Sequence, residues 1–324
     1  MGNVFGYGSA SPPVDVVVRR TYGYIKDVAD PRDRIRTFDT SILRTLFSVS
    51  DEVNVLRDVV NRGGIRSPIV SSSYPVRLSG NVRNKMSVAA AEPVSGVGSV
   101  VTDEKVDLRP FCPGVYDQGQ IGSCTANAIA AAYEYDLRKQ ALADFVPSRL
   151  FIYYNERVME NTVGTDSGAQ IRDGIKVLNT QGVCHETSWP YDASRCFEKP
   201  TDACYSDAKS CKAVAYHRVA QDIDQLRTAL KLGFPVVFGF QVYASFESVD
   251  VSRTGNMPMP KADEKVLGGH AVMAVGFDDE KKVAIVRNSW GEAWGDEGYF
   301  YMPYAFWSDP NQCSDFWTVT SVTE

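Results

Sequence analysis

Gln118-Gly119-Gln120-Ile121-Gly122-Ser123-Cys124 runs directly into Thr125-Ala126-Asn127-Ala128-Ile129-Ala130-Ala131-Ala132. A glycine-punctuated loop meeting an alanine-rich run predicts a loop that ends at Cys124 and a helix over Thr125–Gln140. A thiol in that place faces the positive end of the helix, which favours its anion. An unperturbed thiol, with a pKa near ~8.5, is mostly protonated at neutral pH, and the thiolate is the nucleophile. Working outward, Gly268-Gly269-His270-Ala271-Val272 places a histidine 146 residues after Cys124, and Asn288-Ser289-Trp290-Gly291 places an asparagine 164 residues after it. Taken singly, a cysteine before a helix is more often a small buried residue, and Asn-Ser-Trp-Gly is a turn. Histidine is the side chain that holds a thiol as its anion, so the chain carries the parts of a thiol–imidazole site. His185 and His217 lie in no comparable motif and are read as structural.

The remaining pattern supplies the frame. A second helix is predicted over Ala169–Thr180, ended by Gly182, and a short one over Leu226–Leu232 before a strand at Pro235–Phe240. Ala271–Phe277 and Val283–Arg287 flank an Asp-Asp-Glu-Lys-Lys turn and read as a hairpin. Gly298–Met302 and Trp317–Val322 read as further strands. Helices first and strands later give an α+β class. Upstream, Tyr22-Gly23-Tyr24-Ile25 leads into the polar turn Asp30-Pro31-Arg32-Asp33. Ser41–Arg62 has helical spacing that stops at Gly63-Gly64, and residues 87–105 read as a linker. The chain thus divides into an N-terminal region, 1–105, and a second domain, 106–324.

Composition sets outer limits. With 324 residues, 44% hydrophobic and 23% charged, the chain is neither disordered nor fibrous and can bury a sizeable core. A net charge of −6 argues against nucleic acid as a partner. The charge divides unevenly: residues 1–105 hold 14 basic and 11 acidic side chains (+3), leaving 20 basic and 29 acidic (−9) for the rest. The opening residues form no secretory leader, and Gly6 stands where a myristoylation motif wants Ser or Thr. The apolar run near Gly233–Ala244 is too short to span a membrane, so no membrane partner is expected. The location stays open between cytoplasm, packaging in a particle, and export by another route. No Cys-x-x-Cys or His-x-x-x-His occurs, so no metal or other cofactor is expected. All 7 cysteines lie between Cys112 and Cys313. The six besides Cys124 leave disulfide pairing open.

The three pieces together resemble the papain-like cysteine proteases. Val106-Asp107-Leu108-Arg109 is similar to the start of many mature members, and Ser167-Gly168 falls near the family's glycine pair beside the cleft. Trp189-Pro190-Tyr191 matches a mid-chain motif, and Asn288–Phe300 matches the C-terminal signature. The resemblance implies a helical and a β-barrel-like subdomain with the cleft between them. It implies Cys124 as nucleophile, His270 as its proton partner, Asn288 as the residue orienting the imidazole, and Gln118 as an oxyanion donor. Ser167, Gly168, Gly268, Gly269, Ala271 and Trp290 would line the substrate cleft. Gly268 and Ala271, with Gly239 and Ser314, would border the S2 pocket and leave room for a bulky apolar P2 residue of a protein or peptide substrate.

Departures shape the expectation. Thr125 replaces the usual aromatic residue after the nucleophile, and Ile121 replaces a cysteine. Leu108 stands for the usual Trp near the mature start. No histidine pair follows Trp189-Pro190-Tyr191, so an occluding loop is not expected, which favours endopeptidase activity. The chain looks closer to divergent bacterial, archaeal and viral members than to animal cathepsins. The resemblance also implies that residues 1–105 are a prosegment that runs through the cleft and blocks Cys124, although the family's common prosegment pattern is missing. The +3/−9 split favours its docking and predicts weakening at acid pH, with cleavage expected within Ser87–Lys105. Alternatives are a permanent accessory domain, a catalytically silent homologue acting as a binding module, and an acyl transferase using the same thioester.

Overall fold

A computed structural model describes residues 21–27, 35–36 and 104–324. The helix expected over Ser41–Arg62 and nearly all of the expected linker lie outside the described residues. In chain order, the described elements begin with strands β1 (Ile35–Arg36) and β2 (Lys105–Asp107) and helices α1 (Cys124–Lys139), α2 (Arg149–Glu160), α3 (Ile171–Thr180) and α4 (Asp202–Asp207). Then come β3 (Ala213–Val219), α5 (Ile223–Lys231), β4 (Val236–Tyr243), α6 (Val249–Thr254), β5 (Val266–Asp278), β6 (Val283–Arg287), β7 (Tyr299–Pro303), α7 (Tyr304–Trp307) and β8 (Cys313–Val322). The sheet order is β1-β3-β8-β4-β5-β6-β7, with β2 also pairing with β5. All these pairings are antiparallel except β1 with β3. Lys105, assigned to the linker from sequence, is already the first residue of β2 and lies opposite Asp278.

Helix α1 is buried from Cys124 through Leu137 without interruption. That explains its alanine content: a helix enclosed on every side needs small residues rather than an apolar stripe. Its buried Glu134 is reached by the Tyr116 hydroxyl and by Arg138 at 3.0 Å. Gly174 of α3 lets that helix approach closely. A Cβ there would lie 2.2 Å from Glu156 Oε1 and 2.3 Å from Ile129 Cδ1.

Two hydrophobic cores share the sheet. Along β5, Ala271, Met273 and Val275 face the core built with α1–α3, while Val272, Ala274 and Phe277 face the second core, inside the strand-rich half. β4 divides the same way, with Val237 on the helical side and Val236, Phe238, Phe240 and Val242 on the other. Period-two alternation, shifted once by the irregularity between Ala274 and Gly276 that turns Phe277 to the second core, sends successive apolar residues into different cores, so the strand reads as a continuous apolar run.

Helix α2 was not anticipated from sequence. Its Phe151, Ile152, Tyr153 and Tyr154 favour strands, but its ends carry helix signals. Ser148 accepts a hydrogen bond from Phe151 N at 3.2 Å, and Asn161 closes the other end at φ 58°. The strands near the site are longer than expected. β5 begins at Val266, so His270 lies within a strand, and β8 begins at Cys313.

Candidate active site

Cys124 is the first residue of α1, and its side chain lies where α1 meets β5. The Ala271 N–H points at its sulfur, with N···Sγ 3.4 Å. That contact fixes the thiol beside His270, the preceding residue of the strand. His270 Nε2 lies 2.8 Å from Asn288 Oδ1, which also accepts from Ser289 N at 2.8 Å. An amide oxygen can only accept, so this pairing holds the imidazole in the orientation that donates through Nε2. The Trp290 ring stacks on His270 at 4.9 Å between centroids, inclined by 25°. Cys124, His270 and Asn288 are all buried.

Gln118 is brought to the same place by the loop before α1. Its backbone N–H donates to Ser289 O at 2.9 Å, joining the two halves of the molecule at the site. The Ser289 hydroxyl donates to Gln118 Oε1 at 2.6 Å, which turns the amide so that Nε2 faces Ile121 O at 3.0 Å and Thr21 O at 3.4 Å. The Tyr191 hydroxyl braces the loop from behind, 2.6 Å from Ser123 Oγ and 2.8 Å from Gln118 O. Arg149 lies over the Tyr191 ring at 3.9 Å and pairs with Glu186 at 2.6 Å. Tyr191 was legible only as part of a motif. Thr125, the unusual residue after the cysteine, donates to buried Glu156 at 2.8 Å. A polar partner inside the fold thus replaces an aromatic one.

Residues 21–27 lie along this cleft as a strap. Tyr24 N donates to Gly269 O at 3.0 Å, Ile25 N to Ala169 O at 2.9 Å, and Ala169 N to Gly23 O at 2.6 Å. The last two bonds form a parallel bridge between Tyr24 and Ala169. The approach requires glycine on both sides. A Cβ on Gly23 would fall 1.7 Å from Gly122 O, and one on Gly168 (φ +75°) would fall 1.9 Å from Gly23 O. The Tyr22 ring sits edge-on to His270 at 6.3 Å and tilted against Trp290 at 6.4 Å. Of the residues expected to line the cleft, Gly168, Gly268, Gly269 and Trp290 face the strap. Ala271 faces Cys124, and the Ser167 hydroxyl turns to Gly168 O at 3.1 Å. Beside the Tyr24 ring a cavity of about 490 Å³ opens among Gly268, Gln241, Pro310 and Ser314.

Burial sets the electrostatics of the site. Burial pushes the Cys124 thiol up to about 12, against the opposing pull of the Ala271, Gly23 and Thr125 N–H groups. Burial thus opposes the anion that a helix start favours. At the strap's far end Asp27 is buried, 3.8 Å from Arg172, and its N–H donates to Asp315 Oδ2 at 2.8 Å. Desolvation and the neighbouring Asp315 carboxylate raise Asp27 to about 7. Spacing in the sequence marked neither Asp27 nor Asp315. The aromatic–glycine–aromatic run at 22–24 was visible, without its destination.

Among the described residues, no cluster of His, Cys, Asp or Glu is arranged to hold a metal ion, and no helix is long and apolar enough to cross a membrane. The seven cysteines are all buried free thiols. His185 stacks on Phe145 at 4.0 Å, and His217 lies on β3 opposite Thr318.

Residues 102–314 match the family model described as papain family cysteine protease. An uncharacterized peptidase C1-like protein of Acanthamoeba polyphaga mimivirus is 40% identical over 316 residues, covering 95% of this chain and 89% of that protein. The crystal structure of xylellain, a cysteine protease from Xylella fastidiosa, shares 39% identity over 94% of this chain and 99% of its own, with a TM-score of 0.70. Digestive procathepsin L 3 of Tenebrio molitor has the same fold at 19% identity and a TM-score of 0.53, over 69% of this chain and 72% of its own. With a thiol, an imidazole and an amide held together at the junction of a helical and a strand-rich half, the chain belongs to the papain family of cysteine proteases.

Proposed function

We propose that this chain is a cysteine endopeptidase made as a zymogen, with residues 21–27 as the segment that closes the cleft. The observation that carries the reading is the joint placement of the strap and the Cys124–His270–Asn288 group. The Gly23 amide faces the sulfur, and the Thr21 carbonyl takes the Gln118 donor. Once the strap leaves, solvation lowers the thiol pKa, and transfer of its proton to His270 gives a thiolate–imidazolium pair. The sulfur attacks a peptide carbonyl carbon, and the C=O electrons move onto oxygen. Gln118 Nε2 and the Cys124 backbone N–H are the donors for that oxyanion. Collapse re-forms the carbonyl and breaks the C–N bond, and His270 gives the amine its proton. Water, deprotonated by His270, then hydrolyses the thioester.

Residues 1 to about 105 serve as the prosegment in this reading. Glu104 narrows the processing region. Its side chain pairs with Lys231, and with Arg227 at 3.3 Å, while its carbonyl accepts from Asp279 N at 2.9 Å. Cleavage that leaves these contacts intact falls within residues 87–103.

The test is labelling of full-length protein by an epoxysuccinyl inhibitor, with the adduct mapped by mass, for wild type, Tyr24→Ala and Cys124→Ala. Slow modification of Cys124 in wild type, fast in Tyr24→Ala and none in Cys124→Ala supports a blocked nucleophile. A folded Tyr24→Ala protein that stays unlabelled favours the silent homologue. Peptide products in which an added amine replaces water favour acyl transfer.

A further inference from the structure

The Tyr24 side chain inserts, half-buried, into a pocket with a specific polar end. Its ring lies against Gly239, where a Cβ would fall 2.0 Å from the ring's Cζ, and against Gly269, where one would fall 2.9 Å from Cδ1. Any side chain on β4 at position 239 would therefore fill the pocket. At the closed end the phenol oxygen lies 2.7 Å from Ser314 Oγ and donates to Asp315 Oδ2. Asp315 is buried, sits at φ 59°, and has its other oxygen, Oδ1, held by Arg218 at 2.8 Å. The Arg218 guanidinium balances the carboxylate charge. Oδ2 also accepts from Asp27 N at 2.8 Å while the strap is docked, and when the strap leaves it remains as an acceptor of fixed direction. An aliphatic or phenylalanine side chain leaves that acceptor unmatched. A lysine or arginine brings a second cation towards Arg218.

We propose that this pocket, when the strap has left, selects tyrosine side chains of peptide substrates, with Ser314 and Asp315 as the specificity-determining residues. The inference rests on the protease reading and refines the expectation of a merely apolar occupant. The strap holds the pocket by presenting the side chain that the pocket accepts best. Strap and substrate then compete for one acceptor, and a tyrosine-bearing peptide favours the open form more than its phenylalanine counterpart does.

The experiment uses the full chain carrying Tyr24→Ala, with a peptide library randomised on both sides of the cleaved bond. This is followed by matched peptides bearing Tyr, Phe or Arg at the enriched position. Expected is enrichment of Tyr at a single position, and kcat/KM for the Tyr peptide about 10- to 100-fold above the Phe peptide. That range lies below the limit for a sealed hydroxyl-binding site, because water reaches this pocket from the cleft. Ser314→Ala should narrow the ratio, and Asp315→Asn should reduce it further. If Asp315→Asn fails to fold without its Arg218 pairing, Ser314→Ala decides alone. Equal cleavage of Tyr and Phe peptides, or preference for Arg, overturns the proposal and leaves the protease reading standing. Absence of cleavage of any peptide overturns the protease reading itself.

Discussion

Replacing Tyr24 by alanine should release Cys124, and the structure gives the size of the effect. Complete removal of a buried aromatic ring costs about 3–5 kcal/mol. Tyr24 is half-buried, so about 2 kcal/mol is the appropriate share for its ring. The phenol also donates to the Asp315 carboxylate, and a hydrogen bond to a charged group contributes about 1.5–3 kcal/mol. Water re-solvates the acceptor once the strap leaves, so the lower end applies. The sum, about 3.5 kcal/mol, corresponds to about 300-fold in the ratio of open to closed cleft, at tenfold per 1.4 kcal/mol. The assay is the rate of Cys124 alkylation in full-length protein at neutral pH, where only the open form reacts. Tyr24→Ala should react about 300-fold faster than wild type, up to the ceiling set by a fully open cleft. Tyr24→Phe keeps the ring and loses the hydroxyl, so it should react about tenfold faster. Alkylation of a folded Tyr24→Ala protein at the wild-type rate would refute the reasoning, because the strap could not then be what withholds the thiol.

The strap should also respond to pH in the sense opposite to that suggested by the overall charge split. Docking raises Asp27 from 3.8 to about 7, first through burial and then through Asp315, with Asp173 adding to it and Arg172 and Arg218 opposing it. The docked form thus holds the proton more tightly, and this contribution is full below about 4 and lost as pH rises through about 7. Alkylation rates corrected for thiolate fraction should rise across that window, and Asp27→Asn should flatten the rise; a fall would exclude Asp27 as the controlling group. Gln118→Ala in the strap-released protein should lower the single-turnover acylation rate by about 100- to 1,000-fold while Cys124 still alkylates; an unchanged acylation rate removes Gln118 from the oxyanion role. Gly174→Ala should destabilise the folded protein by about 1–3 kcal/mol through overpacking against Glu156 and Ile129, read as a lowered denaturant midpoint with unchanged slope.

Much of the candidate site was legible because its pieces are local. Gln118 and Cys124 lie within one loop, His270 and Ala271 are adjacent, and Asn288–Gly291 is one continuous piece. Their order therefore survives as pattern, and the α+β class follows from helical runs preceding strand runs. The alternation inside β5 was invisible, since both faces of that strand are buried in different cores. Helix α2 was hidden by strand-favouring residues whose preference the packing overrides.

What only the tertiary structure decided is the meeting of distant segments. Sequence suggested a blocking region, but not that Tyr22-Gly23-Tyr24 lies along the cleft. That depends on Gly122, Gly168, Gly239 and Gly269 leaving space where four separate parts of the chain converge. The Asp27–Asp315 pairing spans 288 residues, and Tyr24 reaches Asp315 across 291. Contacts of that range leave no periodic trace, because they are fixed by how β4, β5 and β8 stack their registers rather than by neighbours along the chain. The candidate thiol was therefore readable from its motif, while the burial that pushes its pKa up arises only in the folded chain.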